Sequence, residues 1–374
     1  MQFSLNRTSL LAELSLLQGI VEKKSTIPIL SNILMETKGE SLISMIATDL
    51  DVSLETECAS DVSKPGAVVL QAKKLFDIVR SLPESEIKIV KEDNDWVKIS
   101  CGSSEFRMVG QAKEHFPSIP MLNQEGLEMP SALFNQLVQR TIYAITQEES
   151  RYALNGALLM ISGGRVTMVA TDGHRLALAS GKLELSSAGA KKWDQSRAIV
   201  PKKALTELLR LTAGQDNAVD LTKDDNHLYF RQGTRKLTSR VLAGQFPNYE
   251  LVLPKNNDKT VKFDVGSLSQ ALKRVALMAD ERSHGVKFEI STGALKITSQ
   301  TSDVGEAREL LPIDYEGDAL NIGFNAEYLL DFLGAVGSEE ILFDFKDEQS
   351  PAMMKPSGTQ QDEYSYVVMP MRLL

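Results

Sequence analysis

Cysteine is nearly missing from this chain. Of 374 residues only Cys58 and Cys101 are cysteine, and no C-x-x-C pair exists. A zinc site or a disulfide framework therefore lacks its ligands, and two reduced thiols of the cytosolic kind are expected. Histidine is scarce as well: four residues with no H-x-x-x-H spacing, so no helix presents a paired metal site. There is no G-x-S-x-G elbow and no glycine-rich phosphate loop closed by Lys-Ser/Thr, which removes the usual starting points for acyl transfer and nucleotide hydrolysis. No apolar run approaches the roughly 18–20 residues that span a bilayer. The opening Met1-Gln2-Phe3-Ser4-Leu5-Asn6-Arg7 lacks the basic-then-apolar layout of a signal peptide. Together these absences predict a cytoplasmic, non-catalytic chain with no cofactor and no metal.

What is present is globular: 43% hydrophobic and 24% charged residues, in a length that suits two or three domains. A net charge of −9 argues, taken alone, against a nucleic-acid binder. A sum says nothing about placement, however, and placement follows from an internal repeat.

Ala47-Thr48-Asp49-Leu50-Asp51 returns 123 residues later as Ala170-Thr171-Asp172-Gly173-His174. Lys73-Lys74-Leu75-Phe76 through Arg80 returns in type as Lys202-Lys203-Ala204-Leu205 through Arg210, and Phe116-Pro117 returns as Phe246-Pro247. A fainter third copy opens at Lys262-Phe263-Asp264, places Phe324–Leu333 where the Lys-Lys segments lie, and closes on Val367-Val368-Met369-Pro370. Landmarks kept in order at nearly the same offset, 123 to 130 residues, define structural repeats. We expect three domains, 1–122, 123–256 and 257–374, joined by polar, turn-rich segments.

Within each copy the hydrophobic period changes. Leu10, Leu14, Leu17 and Val21 recur at helical spacing, as do Leu133, Leu137 and Ile145, and Leu268, Leu272, Val275 and Ala279. Alternation follows, as in Ile87-Lys88-Ile89-Val90. A second helix is expected mid-domain, at 72–82, 201–211 and 325–336. The fold class is therefore α+β, each domain carrying two helices on antiparallel sheets. The six helical segments 8–19, 72–82, 131–143, 201–211, 267–279 and 324–336 sum to +4, leaving −13 elsewhere, although the last of them is −2. On the mid-domain helix Lys73, Lys74 and Arg80 lie opposite Leu75 and Val79, and Lys203 and Arg210 repeat the seven-residue spacing.

Several segments resemble the bacterial DNA polymerase III beta subunit family, the sliding clamps. They are Ala170-Thr171-Asp172-Gly173-His174-Arg175-Leu176, Arg151-Tyr152-Ala153-Leu154-Asn155-Gly156, Thr26-Ile27-Pro28-Ile29-Leu30-Ser31-Asn32, Val252-Leu253-Pro254-Lys255 and Val367 through Leu373. The likeness spans the whole chain. It implies three DNA-clamp domains, a head-to-tail homodimer closing a ring around double-stranded DNA, and processivity without sequence specificity. The implied DNA-facing residues are Lys24, Lys73, Lys74, Arg80, Arg140, Tyr152, Lys202, Lys203, Arg210 and Arg274. The implied subunit contact sets Phe106 and Met108 against Leu277 and Met278, with the acidic Asp303, Glu306 and Glu309 opposite Lys74 or Arg107.

The family also docks short linear peptides from the polymerase III catalytic subunit, the clamp loader, other polymerases and repair proteins. The resemblance places that groove at Leu154, Thr171, Gly173, His174, Arg175, Leu176, Pro247, Val252, Asn325, Tyr328, Val367, Val368, Met369, Pro370, Met371 and Arg372. Leu, Val, Met and Pro suit an apolar slot, with Arg175, His174 and Asn325 supplying polar orientation. A competing enzymatic reading of Asp172 and His174 as an acid–base pair is weakened by the first repeat, where Thr48-Asp49 stands without a histidine.

Overall fold

The structure, a computed structural model, describes residues 1–374 apart from 23–25, 121, 123, 125, 147, 185–192, 215–216, 302–304, 359–362 and 373–374. The first repeat contains β1 (Gln2–Asn6), α1 (Arg7–Ile20), β2 (Asn32–Lys38), β3 (Leu42–Thr48), β4 (Val52–Ala59), β5 (Asp61–Lys64), β6 (Ala67–Gln71), α2 (Ala72–Ser81), β7 (Glu86–Lys91), β8 (Trp96–Cys101) and β9 (Ser104–Val109). The second contains β10 (Leu127–Met129), α3 (Ser131–Gln139), β11 (Gly156–Ser162), β12 (Arg165–Thr171), β13 (Arg175–Lys182), β14 (Ser196–Pro201), α4 (Lys202–Thr212), β15 (Val219–Lys223), β16 (His227–Gln232) and β17 (Arg235–Arg240). The third contains β18 (Lys259–Asp264), α5 (Val265–Ala276), β19 (Gly285–Ser291), β20 (Ala294–Thr301), β21 (Gly305–Pro312), β22 (Leu320–Asn325), α6 (Ala326–Ala335), β23 (Glu340–Phe345), β24 (Ala352–Pro356) and β25 (Glu363–Val368).

Helices start where a strand delivers an Asn or Asp that accepts from the first turn. Asn6 accepts from Thr8 and Ser9, Asp264 from Ser267, and Asn325 from Tyr328. Helix α1 then buries Leu10, Leu14, Leu17 and Ile20 against α2, which buries Leu75, Ile78 and Val79. The helix expected over 131–143 stops at Gln139, and a separate 3₁₀ turn covers Ile142–Ala144. There the Thr141 hydroxyl donates to Leu137 O at 2.8 Å, a local bond that ends the helical ladder.

All strand pairing among the described residues is antiparallel, and it runs across the repeat joints. One eight-stranded sheet has the order β10-β15-β16-β17-β4-β3-β2-β6, another β14-β11-β12-β13-β25-β24-β23-β18. Thus β4 pairs with β17 and β13 with β25. A five-stranded sheet (β5-β1-β7-β8-β9) and a four-stranded one (β21-β20-β19-β22) complete the set; their outer strands are β5 and β9, and β21 and β22. Because hydrogen bonding crosses the repeat boundaries, strands of different repeats also group into two compact units. One holds residues 1–132 and 203–241, the other 133–184, 193–202 and 242–372 of the described chain. Cys58 and Cys101 are both buried free thiols, and burial pushes the Cys58 thiol up to about 11. Among the described residues no helix is long and apolar enough to cross a membrane, and no group of three or more His, Cys, Asp or Glu side chains is placed to hold a metal ion.

Candidate functional site

The Thr-Asp motif turns out to build a turn. Between β12 and β13 the Thr171 hydroxyl donates to Arg175 O at 2.6 Å and accepts from Gly173 N at 3.1 Å. Asp172 Oδ1 accepts from the N–H groups of His174 and Arg175 at 2.9 and 3.0 Å. The first repeat makes the same turn: Thr48 accepts from Leu50 N at 3.0 Å, and Asp49 Oδ1 from Asp51 N and Val52 N at 3.0 and 2.6 Å. The residue after the Asp has positive φ in both, 89° at Gly173 and 81° at Leu50, which costs a leucine more than a glycine. Asp172 is thus spent on backbone and on Arg175, and His174 contributes its N–H here, so the arrangement is structural and not an acid–base pair.

Beside this turn lies a cavity of about 120 Å³, lined by Leu154, Thr171, Gly173, His174, Arg175, Leu176, Pro247, Tyr249, Val252, Val367 and Met369. Its floor belongs to a cluster of Leu158, Val169, Leu176, Leu178, Ile199, Phe246 and Val367. Sequence reasoning passes over Tyr249, which packs on that cluster and donates from its hydroxyl to Met160 Sδ at 4.0 Å; its position in the Phe-Pro linker was the available signal.

Asn325, Tyr328, Val368, Pro370, Met371 and Arg372 are not among the residues lining this cavity. Val368 points to the opposite face of β25 and is wholly buried, as the two-residue period of a strand requires. Asn325 is used as the α6 cap, and its Nδ2 donates to Ser283 O at 3.1 Å. Met371 N donates to Gly323 O at 2.9 Å, anchoring the last residues to β22, while Pro370 is half-buried and Arg372 is exposed.

Arg175 lines the cavity, and its guanidinium is held by partners within the chain. Its side chain is 9% exposed. Nε donates to Asp172 at 3.0 Å, Nη1 to Asp331 at 2.6 Å and Nη2 to Tyr143 O at 2.7 Å. The guanidinium lies 4.2 Å from the Tyr328 ring centroid and 5.6 Å from that of Tyr143. Desolvation, with Tyr364 and Tyr366 close by, pushes the Tyr143 hydroxyl well above the usual tyrosine range, so it stays neutral and hydrogen-bonds Tyr364 at 2.9 Å.

The first joint is built on the same plan with different chemistry. A cluster of Leu34, Ile46, Val69 and Phe116 repeats Leu158, Val169, Ile199 and Phe246. Where β13 and β25 pair Leu176 with Val367, β4 and β17 pair Ser53 with Thr238. Leu178 is replaced by Glu55, paired with Lys236. These polar residues, with Asp220 and Arg231, line a cavity of about 440 Å³.

The cationic candidates are also placed. Lys73 and Arg80 are exposed and both reach Asp77, at 3.2 and 3.1 Å. Arg210 meets Glu207 at 3.0 Å, and Arg274 meets Glu309 at 2.7 Å. Lys74 and Tyr152 are exposed. Lys203 is turned inward to Asp49 Oδ2 at 2.5 Å and Ile20 O at 2.7 Å. Two expectations of an exposed cation fail. Arg140 is buried over the Tyr364 ring at 4.9 Å. Lys202 is half-buried with Nζ 3.5 Å from Ile145 O, and burial, with Arg175 nearby, lowers its affinity for a proton. Lys24 and Asp303 lie outside the described residues.

Of the contact candidates, Phe106 and Met108 share the inward face of β9 and, with Lys74, Ile78 and Val109, line a groove of about 600 Å³ at that outer strand. Leu277 is 78% exposed and Met278 half-buried. Glu309 is engaged by Arg274 within its own unit.

Family models of the DNA polymerase III beta subunit match along the chain in order: the N-terminal domain at residues 1–120, the central domain at 128–248 and the C-terminal domain at 250–372. The chain is 36% identical to the beta sliding clamp of Pseudomonas aeruginosa and 33% identical to that of Escherichia coli, over the full length of each. A crystal structure of the Caulobacter crescentus beta sliding clamp, described with polyethylene glycol at a region named for beta-motif tethering, covers both chains completely with a TM-score of 0.91 at 34% identity. The chain therefore belongs to the DNA polymerase III beta subunit family, the beta sliding clamps, which are non-catalytic processivity subunits.

Proposed function

We propose that two copies of this chain, each divided at 1–122, 123–256 and 257–374, close head to tail into a ring around duplex DNA in the bacterial cytoplasm. The observation that carries this reading is that two outer sheet strands, β9 and β21, lie in the first and third repeats. Two joints in the chain are made by antiparallel pairing, β4 with β17 and β13 with β25. Among the outer strands of the sheets are β9 in the first repeat and β21 in the third. An unpaired edge is a template for another strand, and a heterologous contact between two such ends closes when the rotation allows it. Leu277, exposed on one side, suits the apolar groove of Phe106, Met108 and Val109 on the other. Lys73, Lys74, Arg80, Arg210, Arg274 and Tyr152 then face phosphate without reading bases.

The 120 Å³ cavity takes the hydrophobic anchors of short peptides from the polymerase III catalytic subunit, the clamp loader, other polymerases and repair proteins. Its support is the contrast between the joints: the same framework is apolar at Leu176, Leu178 and Val367 and polar at Ser53, Glu55 and Thr238. Exposed Leu251, Val252 and Met369 extend the apolar rim, and flexible methionine suits a site serving several partners. The test is topological. Loaded onto nicked circular DNA, the protein stays bound in high salt and leaves when the circle is cut; equal retention on linear and circular DNA rejects the ring.

A further inference from the structure

Four of the five cations proposed to face DNA, Lys73, Arg80, Arg210 and Arg274, are held from behind by carboxylates. On α2 a single carboxylate, Asp77, serves both Lys73 and Arg80. On α4 the side chain of Arg210 is 56% exposed while that of its partner Glu207 is 7% exposed. Beside α5 the partner comes from a different element: Glu309 of β21 grips Arg274 through two parallel hydrogen bonds of 2.7 and 2.8 Å, with 53% exposure on the arginine side chain and 25% on the glutamate. In each case the positive group stands outward and the negative one sits beneath it.

Helix stability does not explain this arrangement. Exposed i,i+3 and i,i+4 pairs contribute little, and Glu309 is not on the helix at all. Glu207 is a buried carboxylate whose proton affinity is raised by burial, so its ionised form is costly there.

We propose that Asp77, Glu207 and Glu309 are restraining residues, which partly neutralise the DNA-facing cations so that the lining slides on phosphate without gripping it. This rests on the ring reading above. Each fully engaged phosphate contact adds about 0.9 to the salt slope of binding, which is roughly a threefold change in affinity between 50 and 200 mM salt. A protein held by enclosure gains nothing from such contacts and loses mobility through them. Neutralising Asp77 releases two cations per subunit, and neutralising Glu309 releases one.

The test tracks fluorescent clamp, loaded by the clamp loader onto linear DNA with blocked ends, at salt concentrations from 50 to 200 mM. In the two-subunit ring Asp77→Asn frees four cations and is expected to slow diffusion at 50 mM by up to about a hundredfold, and Glu309→Gln frees two and is expected to slow it by up to about tenfold, both effects fading at 200 mM. Glu340→Gln is the control for net charge, since Glu340 pairs with Lys262 at 2.6 Å on strands β23 and β18; it is expected to diffuse like the parent. Parent-like diffusion of both Asp77→Asn and Glu309→Gln overturns the proposal, and so does equal slowing by Glu340→Gln. Failure of the parent itself to remain on end-blocked DNA overturns the ring reading, and this inference falls with it.

Discussion

Arg175 and Asp331 meet at 2.6 Å across 156 residues of sequence, and this contact ties the Thr171–Arg175 turn to helix α6. The same guanidinium also holds Asp172 and Tyr143 O and stacks on Tyr328. Arg175→Ala leaves Asp172 and Asp331 without their cation. Since Asp331 is exposed, the expected loss is about 2 kcal/mol, below the full cost of breaking a buried pair. Urea unfolding measures it, and Arg175→Lys is expected to recover less than half, because an ammonium lacks the planar fork. An Arg175→Ala protein as stable as the parent contradicts the strut.

Val252 and Met369 stand at the rim of the 120 Å³ cavity, 41% and 38% exposed. Val252→Ser combined with Met369→Ser is expected to weaken a short apolar-anchored peptide at least about tenfold, with thermal stability nearly unchanged. Fluorescence anisotropy with a labelled peptide reads this directly. Parent-like affinity places the anchor elsewhere.

Leu277→Asp puts a charge where an apolar subunit contact is proposed. Burying it unpaired is costly enough to separate the subunits, whereas on an exposed monomer surface it costs little. Analytical ultracentrifugation is expected to show a dimer for the parent and a monomer for the variant; a surviving dimer removes Leu277 from the interface.

Glu55 supplies a pH signature for the first unit. It is buried, accepts from Lys38 Nζ at 2.5 Å and Ser44 Oγ at 3.1 Å, and lies 3.6 Å from Lys236. Burial pushes its carboxyl upward, but the hydrogen bond from Lys38 and the charges of Lys236 and Lys38 outweigh this and hold it below the ordinary value. A carboxyl lowered on folding stabilises fully above its unfolded value, and that contribution disappears as pH falls through the folded one. Glu55→Gln is therefore expected to cost about 1–2 kcal/mol at pH 7 and much less near pH 3. A pH-independent cost would show that the ion pair is not what stabilises the site.

The threefold repeat, the α+β class and the family are legible in the amino-acid order alone. The reason is that hydrophobic period, cap residues such as Asn6 and Asp264, and the Thr-Asp turn all act within a few residues of themselves. The partition into two compact units is decided only by tertiary structure, because the pairing of β4 with β17 and β13 with β25 joins segments more than 180 residues apart. The fate of each charge is decided there too. The seven-residue spacing puts Lys203 and Arg210 on one helix face, yet only the folded chain brings Asp49 and Glu207 against them, sets Glu309 on Arg274, buries Arg140 on Tyr364 and closes Asp172, Asp331 and Tyr143 O around Arg175. Side-chain partners are chosen by proximity in space, which periodicity along the chain does not specify.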